Sequence, residues 1–370
     1  MRAHLPDFDP NTRVDLAACR AALRHGSRTF LAASFLLPRP VRDGACALYA
    51  FCRDADDAVD LGNAPADALA DLMQRIELVY DGRPGPSSLD RALARVVLAY
   101  GIPKELLSAL AEGFSWDAEG RHYESESDLL AYASRVAGTV GVMMAILMGQ
   151  RAPAVLARAA ELGMAMQLTN IARDVGEDAR AGRLYLPLQW LRESGIEPNA
   201  WLAQPVSNPA IRSMVERILR LADGLYRRGD AGIAALPLAC RPGVAAARAL
   251  YAAIGREVER RGCDSVSARA FVPPMRKAWL LGQALIDAFG QPPPLAGRPL
   301  AETRYLVDAV VASPMRDAVP PIVAGRGGGW RALDERITWL VDLFVRLERR
   351  DLETMTMVRP KHTGSAEVIS

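Results

Sequence analysis

Apolar residues recur three and four positions apart along almost the whole chain, and no stretch sustains the strict alternation of a half-buried strand. The pattern predicts helices over 13–36, 40–60, 64–80, 88–99, 103–122, 127–149 and 153–180. It predicts further helices over 207–235, 241–262, 269–288, 300–312 and 330–356. Turn chemistry separates them. Pro38 and Pro40 divide the first two, and Asp81-Gly82-Arg83-Pro84-Gly85-Pro86 forms a loop. Pro103 suits a first helical turn, where its missing N–H has no intrahelical partner. Ser125 with Asp128 three residues later is a capping signal. The run Gln291-Pro292-Pro293-Pro294 closes a large all-α domain, 1–290. A helical extension, 291–370, follows, with a glycine-rich hinge from Gly325 to Gly329.

Composition narrows the function classes. With 370 residues, half of them hydrophobic, the chain can bury a large core. The net charge is +2 and the basic residues are spread evenly, so there is no concentrated face for nucleic acid. Cys19, Cys46, Cys52, Cys240 and Cys263 form no CxxC pair and read as buried thiols in a reducing compartment. The start, MRAHLPDFDP, has no apolar signal-peptide core. The longest apolar run, Val136 to Met148, falls short of the ~20 residues needed to span a bilayer and reads as a buried helix. The expected location is cytoplasmic, with contact at the inner membrane face left open.

Two helical stretches carry acids in the same arrangement. One reads Tyr49-Ala-Phe-Cys-Arg53-Asp-Ala-Asp56-Asp57-Ala-Val-Asp60; the other reads Gln167-Leu-Thr-Asn170-Ile-Ala-Arg173-Asp174-Val-Gly-Glu177-Asp178. Residues four apart share one helix face, so Asp56 and Asp60 project together, and Asn170, Asp174 and Asp178 form one ridge. Like charges at that spacing weaken a helix, and doing so twice implies a cation between the ridges. Oxygen donors without histidine or thiolate point to Mg²⁺, with Mn²⁺ as the substitute. Candidate metal contacts are thus Asp56, Asp60, Asn170, Asp174 and Asp178, with Gln167 as a further oxygen donor. Arg53, Arg173 and Arg183 lie beside the acids, and guanidinium suits phosphate oxygens. Carboxylates, metal and arginine within an apolar helical body describe a site for a diphosphate with a greasy tail. A di-iron carboxylate bundle would need Glu-x-x-His pairs, and no histidine is so placed.

From Arg24 to Ala288 the chain resembles the squalene/phytoene synthase family. The resemblance runs through Ser27-Arg28-Thr29-Phe30, the Tyr49–Asp60 motif and Val136-Ala-Gly138-Thr139-Val-Gly141. It continues in the Asn170–Asp178 motif, Arg183-Leu-Tyr185-Leu-Pro187, Tyr251, Asp264-Ser265-Val266 and Arg269. Some relatives carry a tyrosine just ahead of the Val136 motif, where this chain has Ser134-Arg135. The resemblance implies an all-α isoprenoid-synthase fold, its two aspartate motifs facing across a central cavity. It implies head-to-head joining of two prenyl diphosphates through a cyclopropyl diphosphate, with Asp56, Asp60, Asp174, Asp178 and Tyr49 catalytic. Ser27, Phe30, Tyr251 and Arg269 are implied substrate contacts. Rings such as Phe30 and Tyr49 would face the cations.

Within the family, the stretch from Tyr251 to Arg269 and the tail after 290 look like phytoene synthases. That branch implies two geranylgeranyl diphosphates condensed through prephytoene diphosphate to 15-cis-phytoene, no NADPH, and handover to downstream carotenoid enzymes. The alternatives are a squalene or dehydrosqualene synthase using two farnesyl diphosphates, and a non-catalytic assembly relative. The four retained aspartates argue against the last, and the RDVGED and RLYLP runs against a head-to-tail prenyltransferase or terpene cyclase. Ser34 sits one turn beyond Phe30, and its small side chain leaves room for a C20 tail. Ser34→Phe is expected to shift preference towards C15 diphosphate; an unchanged C20/C15 turnover ratio would overturn this reading.

Overall fold

The longest described helix runs from Pro153 to Arg180, and the rest of the fold is arranged around it. The computed structural model describes residues 10–26, 33–61, 65–290, 295 and 297–313. Among them there is no strand. The helices are α1 (Pro10–Gly26), α2 (Arg39–Leu61), α3 (Pro65–Tyr80), α4 (Ser88–Tyr100), α5 (Lys104–Ala118), α6 (Glu126–Ala133), α7 (Thr139–Leu147) and α8 (Pro153–Arg180). There follow α9 (Leu188–Glu193), α10 (Pro198–Ala203), α11 (Pro209–Ala235), α12 (Arg241–Arg260), α13 (Pro274–Asp287) and α14 (Arg304–Ala312).

The helix starts follow from local chemistry. Ser125 and Asp128 cap α6 reciprocally: the Asp128 N–H donates to Ser125 Oγ at 3.2 Å, and the Ser125 N–H to Asp128 Oδ2 at 2.9 Å. Asn208 accepts from the Ile211 N–H at 2.9 Å, with Pro209 in the first turn of α11. Pro103 is the residue before α5 rather than inside it.

Three predicted helices are redrawn. The 13–36 segment is helical where it is described, over Pro10–Gly26 and 33–35; residues 27–32 lie outside the described set. The 103–122 segment stops at Ala118, because Gly120 takes a left-handed turn (φ 62°) and the Arg121 N–H closes back onto the Trp116 carbonyl. The 269–288 segment becomes helical only at Pro274, since consecutive prolines push each preceding residue out of the α region. The 127–149 segment is interrupted by a π-helical turn at Ser134–Gly138. Two six-residue helices, α9 and α10, were too short to show a period. The 330–356 helix, the hinge at 325–329 and any membrane contact through them lie outside the described residues.

Helix α8 divides the core. Val155, Leu156, Ala157 and Ala160 pack with α1, α2, α4, α5, α7 and α14. Leu162 through Ala179 pack with α6, α9, α10, α11 and α12. The run Glu126–Leu147 is long and apolar enough to cross a membrane, but 56% of its most apolar window is buried inside the protein. Burial there comes from backbone proximity. A Cβ on Gly141 would lie 2.1 Å from the Ala159 carbonyl oxygen, and one on Gly163 would lie 2.2 Å from that of Ala137. These two glycines let the π turn and α7 lie directly against α8. All five cysteines are free thiols, four of them buried, as small apolar packing would have them.

Gly163→Ala is expected to cost about 3 kcal/mol by overpacking. Gly224→Ala, on α11 with no backbone nearby, is expected to gain about 0.5 kcal/mol. Urea unfolding of both variants checks the opposite signs.

Candidate functional site

A cavity of about 490 Å³ opens between α2, α5, α7, α8, α11 and α12. Its α8 wall repeats at helical spacing, from Val155 and Arg158 through Leu162 and Met166 to Gln167 and Asn170. The deep part is apolar, walled by Met143, Met144, Met148, Ile233 and Leu236. Polar groups gather at the other end, where Tyr49, Arg53 and Asp56 of α2 meet Gln167 and Asn170 of α8 and Tyr251 of α12. Ser34 also lines the cavity and is itself buried. Ser27, Phe30 and the Asp60 side chain lie outside the described residues.

Beyond Asn170 the second aspartate ridge continues into a knot of ion pairs. Arg173 Nε donates to Asp174 Oδ1 at 2.7 Å, and its Nη2 reaches Asp174 Oδ2. Arg269 approaches the same carboxylate at 3.0 Å and Glu177 at 3.1 Å. On α2, Arg53 pairs with Asp56 at 3.2 Å and with Asp57 at 2.6 Å. Asp178 instead borders a small recess beside Arg183, Tyr185 and Trp201. Burial, reinforced by the Asp174 charge, pushes its carboxyl up to about 7.

The turn carrying Asp264-Ser265-Val266 holds this part of α8 in place. The Gly176 N–H donates to the Ser265 carbonyl at 3.0 Å, and Ser265 Oγ donates to the Ala172 carbonyl at 2.5 Å. Gly176 is required for the approach, since a Cβ there would lie 2.4 Å from the Val266 carbonyl oxygen. The turn thus clips α8 on both sides of Asp174 and delivers Arg269 to that carboxylate.

Sequence reasoning missed one group at the site. Asp117 of α5 lines the cavity and accepts hydrogen bonds from Tyr132 Oη and Tyr185 Oη, both at 2.8 Å. The two rings stack 5.2 Å apart. Burial first, and the Asp117 charge second, push both phenols upward, so they remain protonated donors. Tyr185 belongs to the Arg183–Pro187 run, but Asp117 and Tyr132 have no partner at a spacing that periodicity can reveal. Ser134 is buried, and its hydroxyl lies 3.2 Å from that of Tyr305 on α14. Arg135 lies over the Trp116 ring at 4.2 Å and the Tyr305 ring at 5.4 Å, and pairs with Glu112. A phenol therefore reaches this corner from the C-terminal segment.

The squalene/phytoene synthase family model matches residues 23–276. A phytoene synthase of Rhodobacter capsulatus is 50% identical over 304 residues, covering 80% of this chain and 90% of that one. The chain belongs to the squalene/phytoene synthase family. A 15-cis-phytoene synthase of a Paracoccus species is 39% identical over 70% of this chain and 88% of that protein. Among solved structures, a dehydrosqualene synthase superposes with a TM-score of 0.69 at 28% identity, covering 74% of this chain and 96% of that one. A squalene synthase from Alicyclobacillus acidocaldarius, at 22% identity and a TM-score of 0.63, shares the isoprenoid-synthase fold. The family match takes in both aspartate ridges, Ser265 and Arg269, and stops short of α14.

The donors at the polar end suit a hard cation: carboxylates and the amide oxygens of Gln167 and Asn170, with no imidazole, while the nearby Cys52 thiol is pushed up to about 12 by burial and stays protonated. Among the described residues, no three acids, histidines or cysteines converge as a closed cage. Asp117→Ala is expected to leave two buried phenols without their acceptor and to lower kcat/KM by about tenfold or more at unchanged helix content. Asp117→Asn, which keeps one acceptor oxygen, is expected to recover part of that loss. Steady-state kinetics beside circular dichroism checks both.

Proposed function

We propose that the chain is a phytoene synthase, joining two C20 prenyl diphosphates head to head and releasing a C40 hydrocarbon without consuming NADPH. The observation that carries the C20 reading is the depth of the cavity. At about 1.5 Å per residue, the α8 wall from Asn170 to Arg158, the charged residue at its apolar end, is about 18 Å long. An extended chain advances about 3.5 Å per three bonds, so four isoprene units span about 19 Å and three about 14 Å. A four-unit tail uses the cavity; a three-unit tail leaves its floor empty. The 50% identity to a phytoene synthase supports the same branch.

In this reading Asp56, Asp174, Asp178 and Asn170, with Asp60, would hold Mg²⁺ against the substrate diphosphate. The bound cations would supply Lewis-acid withdrawal of charge from the leaving group. Enzymes of this family depend on divalent metals in general. The chain's own residues do the remaining work. Arg53, Arg173 and Arg269, each paired with a carboxylate, are charged donors that would turn to the substrate phosphates. Each swings from one anion to another, so binding disturbs the local charge balance little. The Tyr49 and Tyr251 rings line the cavity near its polar end and would face the carbon that becomes cationic. Met143, Met144, Ile233 and Leu236 keep water from that cation until it is captured by the second substrate's double bond. After the cyclopropyl diphosphate ionises and rearranges, the final cation loses a proton, so no hydride donor enters.

The test is incubation of the purified chain with Mg²⁺ and C20 or C15 diphosphate, with and without NADPH. A C40 product without NADPH is expected, together with loss of both half-reactions in Asp56→Asn and Asp174→Asn. A C30 product or an NADPH requirement would overturn the phytoene reading. Near-normal turnover in either aspartate variant would overturn the metal assignment.

A further inference from the structure

The apolar end of the cavity contains one charged side chain. Arg158 of α8 lines the lumen three turns below Asn170 and is 2% exposed. Its guanidinium donates to Glu161 at 2.8 Å and to the Arg298 carbonyl at 3.3 Å. Arg228 of α11 grips the same two acceptors, donating to both Glu161 oxygens at 2.9 and 2.6 Å and to the Arg298 carbonyl at 2.6 Å. Glu161 is fully buried between the two cations. Gly297 takes a left-handed conformation (φ 93°) beside both guanidinium groups, where the segment 297–300 passes them. Arg158, Glu161 and Arg228 lie within residues 23–276, the part matched by the family model, whereas Gly297 and Arg298, which close the clasp, lie outside it.

A buried ion cluster is a poor way to gain stability, because desolvating the charges offsets most of their attraction. It is a good way to fix one long side chain in a single place. Held by its head, Arg158 cannot swing aside, and its methylene stem becomes a rigid part of the wall. On the α8 scale, Asn170 to Arg158 is about 18 Å, close to the about 19 Å reach of a four-isoprene tail. A three-isoprene tail, at about 14 Å, ends a turn earlier, near Leu162. Gly232 keeps the stem in place from the other side, since a Cβ there would lie 2.5 Å from Arg158 Cβ.

The geometry points to Arg158 as the floor of the prenyl-tail channel, a length-determining residue locked by Glu161, Arg228 and the C-terminal segment 297–300. The inference rests on the prenyl-diphosphate reading of the cavity. The C-terminal segment supports that floor without touching substrate: it holds the head of the residue whose stem the fourth isoprene unit meets.

The test compares C15, C20 and C25 diphosphates in the full-length chain and three variants. Arg158→Ala removes the stem and is expected to raise the C25/C20 ratio of kcat/KM by about tenfold or more, in the range that one hydrophobic contact can discriminate. Arg158→Met keeps the stem without the charge and is expected to leave that ratio within about twofold. Arg228→Met loosens the clasp away from the lumen and is expected to lower Tm without moving the ratio. Should Arg158→Ala not fold, Arg158→Val, shorter than arginine and apolar, carries the same comparison. An unchanged C25/C20 ratio in the shortened variant, or an equal shift in Arg228→Met, would overturn the inference. A wild-type chain that prefers C15 would overturn the C20 reading alone, because the Arg158 effect is measured as a shift from wild type.

Discussion

Close backbone contact along α8 is the constraint on which the other features depend. At Gly141 and Gly163 the helix lies against the π turn and α7 with no side chain between them, and at Gly176 it lies against the 264–266 turn in the same way. Each contact fixes the rotation of α8 about its axis more firmly than apolar packing alone, because carbonyl oxygens in van der Waals contact tolerate almost no slip. That rotation decides which residues face the lumen. With it set, Val155, Arg158, Leu162, Met166 and Asn170 all line one cavity.

The same helix carries the two chemical extremes of the site. Its apolar part borders the deep end of the cavity, and its last turns carry Asp174 and Asp178 just beyond the polar end. Charge at that end is balanced locally by Arg53, Arg173 and Arg269. Asp178 is the exception: burial and Asp174 leave its negative charge undercompensated, which is the electrostatic condition a cation would relieve. The tyrosine pair on Asp117 sits between these regions, and its protonated phenols present donors rather than further negative charge.

Several features were readable from particular residues. The capping pair Ser125/Asp128, the cysteines' burial and the long α8 all follow from local rules that need no partner. The motif Asn170–Asp178 was legible as one ridge because helical spacing alone aligns it. Asp117 and Tyr132 were not legible, since what joins them is a hydrogen bond between separate helices with no shared period. The breaks at Ser134–Gly138 and at Gly120 also escaped a periodicity argument. A π turn retains apolar spacing closely enough to look continuous, and a single glycine in a helical pattern does not announce a stop.

By itself, then, the sequence determined an all-helical chain with two acidic ridges of hard oxygen donors, because 3.6-residue spacing places residues on faces before anything packs. Its resemblance to a family of prenyl-diphosphate enzymes was readable in the same residues. Tertiary structure decided the rest: how deep the cavity runs, that Ser265 clips the backbone around Asp174, and that a segment after residue 296 reaches back to lock Arg158. Those outcomes depend on distances between elements far apart in the chain. Such distances are set by glycine contacts and buried ion pairs that acquire meaning only once their partners arrive.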